Sequence, residues 1–351
     1  MFLRNYWYAA AWSEDIKDQP IAYTLLNEPV VVYRRGDGRP AALEDRCAHR
    51  RAPLSKGRVV GDNLVCGYHG VAYDCKGAGV HVPGQTQLPS GLRVRGYPTV
   101  ERHGCIWLWM GDQEKADESK IPDLHWADSP GWGAKGRLHM RAHYQLLNDN
   151  LCDLSHLGYV HATNVGNTAL AEHGQVETQT EGNIVRTSRW TFDRPAPSTY
   201  VGAGGFKKNI DRWQVSEFLP PSLFLLSFGA TDAGVGRAGP TNPDRFAFQV
   251  CQWSTPETEG STHWFWAIAH DFGQNRDLST ALPFYDTMFK VVQEDFSIIE
   301  AQQQTIDRDP DAPITKIEAD GGVMEARRVV VRLLNEEGRG RDSAARKLAR
   351  H

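Results

Sequence analysis

Apolar residues in the first third of the chain come in short runs broken by Gly, Pro, Asn and Asp. Residues 21–26 and 30–33 are apolar or β-branched and flank Asn27-Glu28-Pro29. Arg34-Arg35-Gly36-Asp37-Gly38 is a turn signal, and 40–44 form the next run. Residues 71–77 read as a strand running into a turn. Residues 104–110 form a strong strand stopped by Gly111-Asp112. Short runs bounded by turn formers predict strands, so residues 1–112 are expected to be all-β.

The pattern then changes. Residues 113–136 are rich in charge, Pro and Gly and read as a linker. The rest, 137–351, is mixed. Residues 144–159 read as helix, and 184–192, 223–228, 246–253 and 263–268 as strands. Residues 279–305 read as a long helix, with Phe289, Val292, Phe296 and Ile299 at 3-4-3 spacing on one face. The tail, 336–351, is Arg-rich and reads as a solvated end. The expected class is α+β: an all-β domain followed by an antiparallel sheet with helices.

Composition narrows the function. A chain of 351 residues exceeds one ordinary core, which supports two domains. No apolar run approaches the roughly 20 residues that cross a bilayer. The first residues lack the layout of a signal peptide. A net charge of −4 argues against nucleic acid as a partner. Six scattered cysteines suit a reducing cytoplasm better than a disulfide framework.

Cys47-Ala48-His49 and Cys66-Gly67-Tyr68-His69 carry the chemistry. Two thiols and two imidazoles come from two loops, one of each per half-motif. Rieske-type [2Fe–2S] clusters use that set: two Cys on one iron, two His on the other. Zinc also accepts Cys2His2, but zinc fingers pair Cys with Cys and His with His. Gly67 and Gly70 are expected to let backbone approach the sulfides. Arg46, Arg50, Arg51, Lys56 and Arg58 crowd the first loop. They make either a solvated face or a dock for an acidic electron donor.

A second site lies in 148–161. His156 and His161 could fill two positions on an iron. A distant carboxylate would complete a 2-His-1-carboxylate triad, which leaves positions open for O2 and substrate. Asp295 is the choice for that carboxylate, because it shares a helix face with Met288, Val292 and Ile299. Glu294 would face about 100° away. Asp153, three residues before His156, is the competitor. Two G-x-G-x-x-G stretches, 131–136 and 234–239, lack the strand-then-helix setting of a dinucleotide site.

With those motifs in place the chain resembles the oxygenase components of Rieske non-heme iron aromatic oxygenases. It is most similar to the branch of vanillate and dicamba O-demethylases and toluenesulfonate methyl-monooxygenase. Phe2 to Tyr8, Pro83-Gly84-Gln85, 149–161, 255–259 and Glu294-Asp295 extend the likeness over nearly the whole length. The resemblance implies a Rieske domain followed by a helix-grip-like catalytic domain. It implies that Cys47, Cys66, His49 and His69 hold the cluster, and His156, His161 and Asp295 a mononuclear Fe(II). It implies that Asp153 bridges His156 to a cluster His of a neighbouring subunit in a homotrimer, and that Asn150 stands near the iron. It further implies electrons from NAD(P)H through a separate reductase. The reaction would be hydroxylation by O2 of a methoxy or methyl group on a small, acidic aromatic compound, with formaldehyde released on O-demethylation. Ring dihydroxylation and a bare electron carrier are the alternatives. For the substrate pocket the expected residues are Gln252, Trp253, Trp266, Tyr285 and Phe289.

Overall fold

The computed structural model describes residues 1–124, 133–270 and 278–338. The chain forms two compact units, one covering Phe2–Asp128 with Thr255–Glu259, the other Ser129–Ser254 with Gly260–His351.

The first unit is built from short strands: β1 (Trp7–Trp12), β2 (Ile21–Leu25), β3 (Glu28–Arg34), β4 (Pro40–Glu44), β5 (Arg58–Val60), β6 (Asn63–Val65), β7 (Ala72–Tyr73), β8 (Gly79–His81), β9 (Gly96–Tyr97), β10 (Thr99–Arg102) and β11 (Cys105–Trp109). They form three sheets, ordered β1-β11-β10, β2-β3-β4-β9 and β5-β6-β7-β8. Pro29, expected in a turn, lies in β3 opposite Thr24. The turn falls instead on Leu26 and Asn27, both at positive φ. Their amides donate to the carbonyls of Pro256 and Glu257, each at 2.9 Å, which ties 255–259 to this unit. Val31, Tyr33, Leu43, Leu64 and Tyr73 are fully buried, and Cys47 and Cys66 pack in the same apolar cluster.

The second unit is one sheet with helices. Strands β12 (Ala134–Met140), β13 (Gln175–Glu181), β14 (Ile184–Arg194), β15 (Ile210–Leu219), β16 (Leu223–Asp232), β17 (Phe246–Thr258) and β18 (Ser261–His270) are ordered β12-β18-β17-β16-β15-β14-β13. Helices are α1 (Tyr144–Cys152), α2 (Thr168–His173), α3 (Ser198–Gly204), α4 (Leu278–Arg308) and α5 (Gly321–Glu336). The end of the expected linker is already strand, because β12 begins at Ala134. The middle of that linker and the Arg-rich tail beyond 338 lie outside the described residues. The segment 255–259 is largely the end of β17.

Two helices depart from expectation. Helix α1 stops at Cys152, seven residues short of the expected end at 159. Asp153 is extended (φ −114°, ψ 102°) and caps a 3-10 turn, Leu154–Gly158, by accepting from the Ser155 amide. A short acceptor side chain there satisfies the next turn's amides and ends the α-helix. On α4 the buried face is Phe284, Tyr285, Met288, Val292, Asp295 and Ile299. Phe289 is 48% exposed and belongs to the other face.

Candidate metal centres

In the first unit the two cysteines and two histidines meet at one tip. Cys47 and Cys66 are buried, whereas His49 and His69 are exposed with ring centroids 4.6 Å apart. Each loop closes on itself: Arg51 N donates to Cys47 O at 2.9 Å, and Gly70 N to Cys66 O at 3.0 Å. Burial, the largest influence, pushes the Cys66 thiol up, and amide donors from Tyr68 and His69 pull it back. Such amides stabilise sulfur carrying negative charge. The Tyr73 hydroxyl lies 3.2 Å from Cys47 Sγ and 3.0 Å from the Ala48 amide, which donates to it. The hydroxyl can therefore give its own proton to the sulfur. Gly67 also permits a close approach within the protein. A Cβ there would stand 2.4 Å from the Lys56 carbonyl, so glycine lets the two loops pack. Gly70 sits at φ +72°, a region open to glycine.

In the second unit His156, His161 and Asp295 offer ligand atoms all within 4.8 Å of one another. Asp295 Oδ1 is 3.1 Å from His161 Nε2 and 3.4 Å from His156 Nε2. The other ring nitrogens are fixed from behind. His156 Nδ1 lies 2.7 Å from the Asp153 carbonyl, and His161 Nδ1 lies 2.7 Å from Glu294 Oε2. Each Nδ1 gives its proton to the acceptor behind it, which leaves Nε2, on the Asp295 side, to offer its lone pair to a metal. Asn164 Nδ2 holds Glu294 at 3.0 Å. Burial pushes the Asp295 carboxyl up, but bonds to His156 and His161 outweigh it and hold the acid well below its usual range. Burial disfavours a charged His161, yet Asp295 and Glu294 raise its affinity for a proton. A pocket that draws a proton this way also draws a divalent cation.

Asn150 completes the fit. Its Nδ2 donates to Asp295 Oδ1 at 3.1 Å, while its buried Oδ1 has no partner among the described residues. A buried orphan oxygen beside two imidazoles and a carboxylate suits a cation. Asp153 stays out of the triad. It touches His156 through its backbone carbonyl, and its carboxylate is held by Ser155 N (2.9 Å), Ser155 Oγ (2.8 Å) and Arg189 Nη2 (3.2 Å).

An apolar cavity opens from the triad. Its walls include Leu154, Leu157, Phe228, Phe248, Val250 and Met288, with Gln252 at the polar corner. Of the five expected pocket residues, Gln252 alone lines it. Trp253, Trp266 and Tyr285 are buried elsewhere, and Phe289 faces outward. Side chains alternate across a strand, which sends Trp253 away from Gln252. The Trp264 indole N–H donates to Gln252 Oε1 at 2.7 Å. Indole only donates, so the Gln252 NH2 is turned away from it. A second cavity, about 810 Å³, reaches Asn150, Asp153 and His156 among α1, α4 and α5. The second glycine motif holds no phosphate cradle: Gly234 and Gly236 donate their amides to Asp211 Oδ2 at 2.8 and 2.7 Å.

Residues 6–98 match the Rieske [2Fe-2S] domain, and residues 140–336 match the Vanillate O-demethylase oxygenase C-terminal domain. The chain belongs to the Rieske non-heme iron oxygenases. This oxygenase is 38% identical to the toluene-4-sulfonate monooxygenase system iron-sulfur subunit of Comamonas testosteroni, over 97% of this chain and 99% of that one. It is 37% identical to the vanillate O-demethylase oxygenase subunit of a Pseudomonas strain, over 98% of both. The crystal structure of dicamba monooxygenase bound to dicamba superposes with a TM-score of 0.85 at 29% identity, covering 96% of this chain and 99% of that one. The family accounts for both metal centres: a Rieske [2Fe–2S] cluster in the first unit and a mononuclear iron in the second.

Sequence reasoning missed Glu294, Asn164 and Arg189. Glu294 was set aside as pointing about 100° from Asp295, which is the angle between helix neighbours. An imidazole is wide enough to be gripped by both.

Proposed function

We propose that this Rieske monooxygenase hydroxylates a methyl or methoxy carbon on a small anionic aromatic compound. The observation that carries the reading is the iron triad opening on an apolar cavity with one oriented amide. The relatives' names support the substrate class, since toluene-4-sulfonate and vanillate are aromatic anions bearing a methyl or a methoxy group.

Fe(II), when bound, supplies O2 activation, and the cluster supplies single electrons. His156, His161 and Asp295 would hold the metal, and the apolar cavity borders all three. Leu154, Leu157, Phe228, Phe248 and Val250 exclude water and offer apolar walls to an aromatic ring; the space among them is about 40 Å³, so the ring enters as these side chains move apart. The Gln252 amide donates to an acceptor atom on the substrate and orients the ring with its methyl or methoxy carbon toward the triad. Hydroxylation of a methoxy carbon gives a hemiacetal that collapses to a phenol and formaldehyde.

The cluster takes its electrons from a separate NAD(P)H-dependent reductase in the cytoplasm. Copies assemble head to tail as a homotrimer, so that His69 of one copy meets Asp153 of the next. The exposure of His69 supports this arrangement, as does the 17% of Asp153 left open beside the larger cavity. The test supplies a surrogate reductase, NADH and O2 with methoxybenzoates, methylbenzoates and aryl sulfonates. Formaldehyde or benzylic alcohol formed in step with NADH use supports the reading. A cis-dihydrodiol product, or NADH use without product across the panel, rejects it.

A further inference from the structure

Gln214, in the middle of β15, is completely buried, and neither end of its amide has a partner among the described residues. Its neighbours along the strand show where it points. Arg212, Gln214 and Ser216 share one face of the sheet, while Trp213 and Val215 pack with Trp190 on the other. Arg212 Nη2 donates to the Val165 carbonyl at 2.7 Å, and Ser216 Oγ donates to the Leu151 carbonyl at 2.6 Å. Val165 and Leu151 are both walls of the cavity beside the triad. Gln214 lies between these two anchors and directly opposite Phe228, another wall, across β15 and β16. Opposite partners in an antiparallel pair stand roughly 5 Å apart at Cβ. The carboxamide therefore sits one side chain back from the cavity. Beside it is the Phe228 ring, which stacks on Phe248 at 5.0 Å.

We propose that Gln214 is a second recognition group of the substrate site and that it reads a hydroxyl on the substrate ring. This deepens the reading above and rests on it. A buried amide without partners is costly, and native interiors rarely keep one. The cavity offers only about 40 Å³ among its walls, so an entering ring displaces side chains. Movement of Phe228 opens the enlarged space to the Gln214 amide. Its NH2 and its carbonyl are both uncommitted, and a hydroxyl satisfies both because it donates and accepts. A carboxylate or sulfonate only accepts, and here it would face the Gln214 carbonyl oxygen. The charged group belongs at Gln252, whose carbonyl is already taken by Trp264 and whose NH2 alone is offered. The substrate class is thus a methoxy- or methyl-substituted aromatic anion that also carries a ring hydroxyl.

The experiment pairs the methoxybenzoates, methylbenzoates and aryl sulfonates of the panel above with their ring-hydroxylated counterparts. The holoenzyme is supplied with a surrogate reductase, NADH and O2, and formaldehyde or benzylic alcohol formed gives kcat/KM for each member of a pair. In the wild type at least one hydroxylated compound should exceed its parent by roughly tenfold or more, as a site built to bond a hydroxyl discriminates against the analogue without it. Gln214→Met keeps the length, removes both polar atoms and should abolish that preference. Gln214→Asn draws the amide back by one carbon and should also lower the ratio; it serves alone if the Met variant does not hold its metals. No preference for a hydroxyl in the wild type would overturn the proposal, since Gln214 would then hold an ordered water only. So would a preference that survives in the variants. Equal losses for both members of a pair would overturn it too, because they mark packing rather than recognition. Turnover of neither member of any pair would sink the proposed function itself, and this inference with it.

Discussion

His161 is gripped at both ring nitrogens by neighbouring residues of one helix: Nε2 lies 3.1 Å from Asp295 Oδ1 and Nδ1 lies 2.7 Å from Glu294 Oε2. One carboxylate stands where it could share a metal with the ring, and the other holds the proton-bearing nitrogen. The first prediction follows from that division. Glu294→Ala should weaken Fe(II) or Co(II) binding by roughly 10- to 100-fold, the usual effect of losing such a partner. Titration of the metal-free protein with Co(II), read from its visible bands, checks it. An unchanged affinity would show that Asp295 and packing orient His161 by themselves.

Metal binding should also depend on pH with a definite sign. Without metal, Asp295 and Glu294 raise the proton affinity of His161 above the ordinary imidazole value. A metal needs the neutral ring, so binding releases that proton. Affinity should therefore rise with pH up to and through a point above the ordinary value near 6.5. Asp295 is held ionised and contributes no dependence in that window. Competition with a chelator across pH measures the slope. A flat profile between about pH 6 and 8 would contradict the argument.

Asp153 offers a separation of roles. Its carbonyl orients His156, whereas its carboxylate is held by Ser155 and Arg189. Asp153→Asn keeps the carbonyl and should keep both metals. Coupled product formation should fall by at least 100-fold while dithionite still reduces the cluster. Iron content near three per chain with unchanged turnover would remove the carboxylate from the route between the centres.

Gln252 can be tested by charge. Gln252→Glu still accepts from Trp264 but replaces the cavity's donor with an anion. Loss of a hydrogen bond to a charged group costs about 1.5–3 kcal/mol, so binding of an aromatic carboxylate should weaken by roughly 10- to 100-fold. A neutral anisole should be affected much less. Equal losses for both would place the residue in packing rather than recognition.

Tyr73 should tune the cluster. Hydrogen bonds to cluster sulfur raise the reduction potential, because they stabilise the more electron-rich reduced form. Tyr73→Phe removes the hydroxyl 3.2 Å from Cys47 Sγ and should lower the potential by tens of millivolts. A redox titration followed by visible circular dichroism would measure it. A potential that stays or rises would show that the hydroxyl accepts at this site and gives nothing to the sulfur.

Both ligand motifs were legible as residue types at fixed spacing, because a metal demands a donor set that few sequences supply. The β content of the first unit was legible too, since its strands are short and bounded by turn formers. Smaller features resisted. The helix expected to reach 159 stops at Cys152, because Asp153 finds a better partner in the Ser155 amide than a helix would offer. Phe289 fitted the 3-4-3 pattern and still faces outward, while Tyr285 and Met288 took the inner face. A helix wheel gives relative angles, and only the sheet packed against α4 says which angle is inside.

What the sequence determined by itself is chemical: four residues of the types a diiron cluster takes, and two histidines and a distant carboxylate of the types one iron takes. The order of β-rich and mixed halves also belongs to it. What tertiary structure decided is direction. It turned Asn150 Nδ2 onto Asp295 and left its buried Oδ1 without a partner among the described residues, put Glu294 behind His161, and aimed the Gln252 donor away from Trp264. The reason is range. Ligand identity and local periodicity are carried by neighbours along the chain. The partner of each polar atom is set by residues such as 161 and 294, which only the closed fold brings within a hydrogen bond's reach.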